Sequence, residues 1–183
     1  MSKNSKVTQL IGEVAAARTA FISLVGNISE TDASFKPATD QWSITDITEH
    51  LFWAEQGALY GMWKILYAIR NGTAEQTFES NHKGWTVEKL IAETWQEKEI
   101  VPASAAPRLG GTLAFWRSSL SSLQAVLEYL GNDLLDDELR LQAHPHPISG
   151  AMDFQQRLEF LRFHIQRHQG QVESILQSLP QRN

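Results

Sequence analysis

The chain has no cysteine among its 183 residues. That absence excludes disulfides, thiolate metal ligands and a cysteine nucleophile, so any metal must rest on nitrogen and oxygen donors. Positive charge is not in excess either: 16 basic residues face 21 acidic ones, for a formal net charge of -5. With a sequence pI near 5.7 there is no overall basic field to hold a phosphate backbone, and nucleic acid is not expected as a partner. No uninterrupted apolar run reaches about 18 residues, which excludes a membrane-spanning helix on sequence grounds. The lead-in Met1–Lys6 is polar, and Glu13 and Arg18 interrupt the apolar residues after it, so no signal-peptide core is read. A soluble, cytoplasmic protein is expected. Phosphate-loop, dinucleotide-binding and serine-elbow motifs are all missing.

What the chain does have is helical periodicity. Val7, Leu10, Val14, Ala17, Phe21, Leu24 and Ile28 step three and four residues apart, a seam on one side of a helix. Ile44, Ile47, Leu51, Ala54, Ala58, Met62, Ile65 and Ile69 repeat the pattern, opened by Ser43 and Asp46 in capping-box spacing and stopped at Asn71-Gly72. A third stripe runs from Leu113 to Leu130 and is closed by Gly131; a fourth runs from Phe154 to Leu179 and ends at Pro180. A shorter helix is expected from Thr86 to about Glu99, and irregular connections at Pro102–Gly111 and Gly131–Gly150. Four seams of this length need one another to be buried. The expected fold is an all-α four-helix bundle with an additional short helix between the second and third long helices, one domain spanning 1–183. The long connections point away from a simple up-down-up-down topology.

Polar groups on the seams are where chemistry is sought. His168 takes a seam position between Ile165 and Val172, and His164 lies one turn before it, so both imidazoles project from one face. His50 borders the apolar stripe of the second helix. Imidazole nitrogen binds Zn, Ni, Cu or Fe near neutral pH, and a bundle core is a common place to build such a site from facing helices. By spacing alone, the same histidines read equally as surface or hydrogen-bonded core residues.

The surrounding residues carry a resemblance. Trp42-Ser43-Ile44-Thr45-Asp46-Ile47-Thr48-Glu49-His50-Leu51 resembles the W-S-x-x-[DE]-x-x-x-H-L signature of the DinB-like superfamily. His164-Ile165-Gln166-Arg167-His168-Gln169-Gly170-Gln171 is similar to its H-x-x-[RK]-H-x-x-Q motif, and His146-Pro147-Ile148-Ser149-Gly150 to its H-P-x-x-G segment. The three fall in the family's order and span essentially the whole chain. The resemblance implies a four-helix bundle, often dimeric, with a divalent metal held by His50, His164 and His168. Zn or Ni come first as candidate ions, with Fe or Mn next.

Around that trio, Asp46, Glu49 and Glu55 are candidate carboxylate partners for the ligating imidazoles, although Asp46 also reads as a helix cap. Arg167 is either a solvated charge or the holder of an anionic substrate group. His144 and His146 sit in a loop able to fold over the site, as further ligands, as substrate contacts or as ordinary loop residues; His82 is expected to be exposed. The six tryptophans read as core or dimer-interface residues, one of which can wall an apolar pocket near the metal.

Two functional readings are open at this point. The resemblance implies a small-molecule metalloenzyme, a thiol-dependent transferase or a hydrolase, working as a homodimer. With no cysteine in the chain, thiol chemistry would need an external low-molecular-weight thiol such as bacillithiol or mycothiol. The alternative is a non-catalytic, stress-related binding or scaffold bundle with a structural metal, for which a fourth protein ligand is expected.

Overall fold

A computed structural model describes residues 5–74, 82–95 and 101–180. Among these the regular structure is entirely helical: α1 (Ser5–Leu24), α2 (Glu30–Ala33), α3 (Ile44–Arg70), α4 (Val87–Thr94), α5 (Leu113–Asp133), a 3-10 turn at Asp136–Arg140, and α6 (Phe154–Gln177). The four long helices are those of the four apolar seams. α3 opens with the expected capping box, Ser43 and Asp46 each accepting the other's backbone N–H, and Asp153 and Gln156 do the same for α6.

The boundaries differ in three places. α1 stops at Leu24 instead of continuing to Ile28, because Gly26 tightens the chain into a turn whose carbonyl accepts the Arg117 guanidinium at 2.5 Å. Ser29 then caps the separate short helix α2. α5 runs through Gly131, which is no stop signal: a Cβ there would lie 2.6 Å from Cγ1 of Ile11, so the glycine lets α1 and α5 approach closely. α4 ends at Thr94, where Trp95 turns extended; the remainder of the expected helix to Glu99 lies outside the described residues. The stretch after α5 is less irregular than expected, since Asp136–Arg140 forms the 3-10 turn.

Neighbouring pairs in the bundle are α1 with α5, α5 with α3, α3 with α6 and α6 with α1, so α1 and α3, consecutive among the long helices, lie across a diagonal. Ile11 meets Gly131 while Gly26 meets Arg117, which makes α1 and α5 antiparallel. Phe52 packs on Trp116 and Arg70 pairs with Asp133, which makes α3 and α5 parallel. His50 faces His168, whereas Gly61 abuts His144 ahead of α6, so α3 and α6 run oppositely. The result is up-down-down-up, the departure that the long connections implied.

The core between these helices includes Leu10, Phe21, Leu51, Met62, Leu127 and Ile165, all almost inaccessible. Each such side chain contributes about 1.5–3 kcal/mol relative to exposure. A second apolar cluster, Val87, Leu90, Met152 and Phe160 with Trp85, Ile91 and Trp95 against it, docks α4 on the first half of α6. Phe160 and Trp95 of that cluster also wall a large, open cavity. No helix among the described residues is long and apolar enough to cross a membrane.

Candidate metal centre

α3 and α6 bring His50, His164 and His168 together in the interior, with one ring nitrogen of each within 4.8 Å of the others. Nε2 of His164 lies 3.2 Å from Nε2 of His50 and 3.1 Å from Nε2 of His168. The outer nitrogens are engaged: Nδ1 of His50 donates to the carbonyl of Ala105 at 2.8 Å, and Nδ1 of His168 donates to Oε1 of Gln171 at 2.7 Å. These bonds put the protons of His50 and His168 on the outside and aim their Nε2 lone pairs at a common centre.

The donor set suits a divalent ion. Two nitrogens about 2.05 Å from one tetrahedral metal sit about 3.3 Å apart, close to the spacings found. Burial pushes all three imidazoles toward the neutral form: His50 is lowered to about 4, with the Arg167 charge adding to burial and the Ala105 carbonyl opposing it. His164 and His168 fall well below the usual histidine range, burial acting first and the other histidines and Arg167 adding to it. At neutral pH the ligands therefore need lose no proton before coordinating.

The loop that supplies the Ala105 carbonyl is itself pinned by the residue beside His50. Glu49 is fully buried; its Oε1 accepts the N–H groups of Arg108 and Leu109, each at 2.8 Å, its Oε2 that of Gly110 at 2.9 Å. Trp53 Nε1 donates to the same carboxylate at 3.1 Å. Burial pushes the Glu49 carboxyl up, but these donors outweigh it and hold the carboxyl below its ordinary value. Glu49 thus positions His50 through the loop rather than by touching its ring.

The carboxylate partners expected from sequence are occupied elsewhere. Asp46 caps α3 and pairs with Lys36 at 2.8 Å. Glu55 is buried against Arg18 at 2.5 Å. A backbone carbonyl and an amide take the imidazole N–H groups because the carboxylates are committed to capping, loop anchoring and a buried ion pair.

The histidines form part of the wall of a cavity of about 1180 Å³. Trp42 packs on the His50 ring at 4.9 Å between centroids, and Trp95 meets His164 edge-on at 6.3 Å. His144, His146 and Arg167 also line the cavity, so the loop before α6 does cover the site. Neither loop histidine belongs to the three-histidine cluster. His146 is turned by its own loop, its Nδ1 accepting N–H groups of Ile148 and Ser149, and its ring packs 4.3 Å from Phe160. The Arg167 guanidinium lies 5.0 Å over the Trp95 ring. His82, expected to be exposed, is half-buried, with Nδ1 3.3 Å from the Ala151 carbonyl and its ring against Trp85.

Sequence reasoning missed the Ala105 carbonyl, the ring-orienting role of Gln171 and the presence of Arg157 in the cavity wall. The last two left signals: Gln171 is three residues past His168, and Arg157 is two helical turns before His164.

A bundle that converges three neutral imidazoles from two facing helices has the makings of a metal-binding four-helix protein. The family model of the DinB superfamily matches residues 13–172, and the chain belongs to that superfamily. The crystal structure of a conserved protein from Enterococcus faecalis is similar over 94% of this chain and 96% of that one, with a TM-score of 0.55 and 13% identity. At that identity the likeness is one of fold. No curated protein matches the chain.

Proposed function

We propose that the protein is a metal-dependent enzyme acting on a small molecule, either a transferase that uses an external low-molecular-weight thiol or a hydrolase. The observation that carries this reading is that the three imidazoles form part of the wall of a large cavity, with no fourth side-chain donor in their cluster among the described residues. Structural zinc sites take four protein ligands, whereas catalytic ones keep a position for water or substrate. A divalent ion, Zn or Ni first and Fe or Mn next, would lower the pKa of a bound water or thiol and so supply a nucleophile at neutral pH.

The chain's own residues do the rest. His50, His164 and His168 present the ligand nitrogens; the Ala105 carbonyl and Gln171 hold two of the rings in register. Trp42, Trp95 and Phe160 give the cavity apolar walls beside the histidines. A homodimer belongs to the same reading and is supported by the exposed Tyr60 and Tyr67 on α3 and Phe115 and Tyr129 on the neighbouring α5.

The test is turnover. Metal-loaded protein is assayed with glutathione, bacillithiol and mycothiol against 1-chloro-2,4-dinitrobenzene, and without thiol against p-nitrophenyl acetate. Turnover that needs Zn or Ni and disappears in His168→Ala supports the reading. No metal-dependent turnover in any arm contradicts it and leaves a structural metal.

A further inference from the structure

Arg157 is a buried cation in the cavity wall that meets no counter-charge among the described residues. It projects from α6, lines the cavity with Phe160, Leu161 and His164, and is 4% exposed. Its Nε and Nη1 are buried and meet no acceptor among the described residues. Its carbon Cζ lies 5.9 Å from the Phe160 ring centroid, a weak substitute for an anion. Burial alone acts on its ionisation, bringing it down to about 10 with no carboxylate opposing the shift, so it stays charged at neutral pH. Such a group is destabilising unless something answers it.

Among the described residues lining the cavity are three arginines, Arg108, Arg157 and Arg167, and one carboxylate, Asp40. This is the reverse of the chain as a whole, with its net charge of -5. Two helical turns separate Arg157 from His164, roughly 10 Å along the helix axis, and Phe160 and Leu161 between them provide an apolar floor.

We propose that the cavity binds a small organic anion, its carboxylate or phosphate held by Arg157 at one end while its other end reaches the three histidines. A guanidinium N–H suits either oxyanion. The reach to the histidines rests on the metal-enzyme reading; the oxyanion site itself does not.

The experiment measures binding of benzoate, phenyl phosphate and the neutral benzyl alcohol to wild type, Arg157→Met and Arg157→Lys, together with melting temperature and Zn affinity. Wild type should bind at least one anion about tenfold or more tighter than benzyl alcohol, and the preferred anion tells carboxylate from phosphate. Arg157→Met should lose that preference, keep its Zn affinity and melt no lower than wild type, because it removes an unanswered buried charge. Arg157→Lys should retain part of the preference. Equal binding of anions and benzyl alcohol by wild type overturns the proposal without requiring any variant to fold. So does an Arg157→Met protein that melts lower but binds the anions as before. Anion binding without Zn binding sinks the enzyme reading and keeps the oxyanion site; Zn binding without anion binding does the opposite.

Discussion

Arg18 and Arg157 are both nearly inaccessible, 2% and 4% exposed, yet their surroundings are opposite. Arg18, on α1, is answered on two sides: its Nε and Nη2 reach Oε2 of Glu55 at 3.1 and 2.5 Å, and its Nη1 donates to Gln124 of α5. That knot ties α1, α3 and α5 together. Arg157, on α6, meets an aromatic face and a cavity, as do the three imidazoles further along the bundle. Polar groups that complete one another hold the helices in register. Those left facing a shared cavity are available to a ligand, and of the four named here Arg157, His164 and His168 lie on α6.

Glu55→Ala leaves the buried Arg18 charge with only the neutral Gln124 oxygen as a partner, which should cost about 3–5 kcal/mol in urea unfolding and lower the melting temperature by roughly 10 °C, with Zn affinity unchanged. A loss under about 1 kcal/mol would mean that the knot does not hold the helices. At the open end the largest effect short of removing a ligand is expected at Gln171. Gln171→Leu frees the His168 ring from its partner and should weaken Zn binding about 10–100-fold, with little change in the unfolding of the metal-free protein.

Acid should act on the cavity side first. His50 and His146 are lowered to about 4 and about 3, burial being the first cause in both and Arg157 adding to it at His146. The unfolded chain takes up these protons near pH 6.5 and the folded one does not. Their contribution is therefore complete above about pH 6.5 and is lost as pH falls toward 4 and then 3, at about 1.4 kcal/mol per pH unit for each histidine. Denaturant midpoints of metal-free protein between pH 7 and 5 check the sign; a flat profile contradicts it. The smallest effect is expected at Asp46. Asp46→Ala removes half of the α3 capping box and should cost about 1 kcal/mol while leaving Zn affinity unchanged, which separates a helix cap from a metal partner.

Much of this was legible in the sequence, for reasons the residues make plain. Three-and-four spacing marked the long helices because only one face of each is buried. His168 stood out because it takes a seam position where Leu is ordinary, and the motifs around His50 and His164 carried the resemblance that the family match bears out. What stayed hidden depends on tertiary approach. Gly131 reads as a helix stop, and only the crossing of α1 makes it a contact glycine. The Ala105 carbonyl has no side-chain signature and comes from a loop 55 residues away from His50. Glu49 and Glu55 both lie near His50 in sequence, but one faces that loop and the other faces Arg18. Arg157 looked like an ordinary helix charge because sequence does not show that no carboxylate among the described residues comes to meet it.

The central claim is that His50, His164 and His168 form a ligand set for a divalent ion, and its most direct test is a Zn and Ni titration of tag-free protein. Binding is measured by calorimetry, metal content by mass spectrometry, and helix content by circular dichroism. Wild type should take up close to one ion per chain, and His164→Ala, with its helix content intact, should bind at least about 100-fold more weakly. Wild type that stays metal-free with both ions, or a folded His164→Ala protein that binds as tightly as wild type, would contradict it.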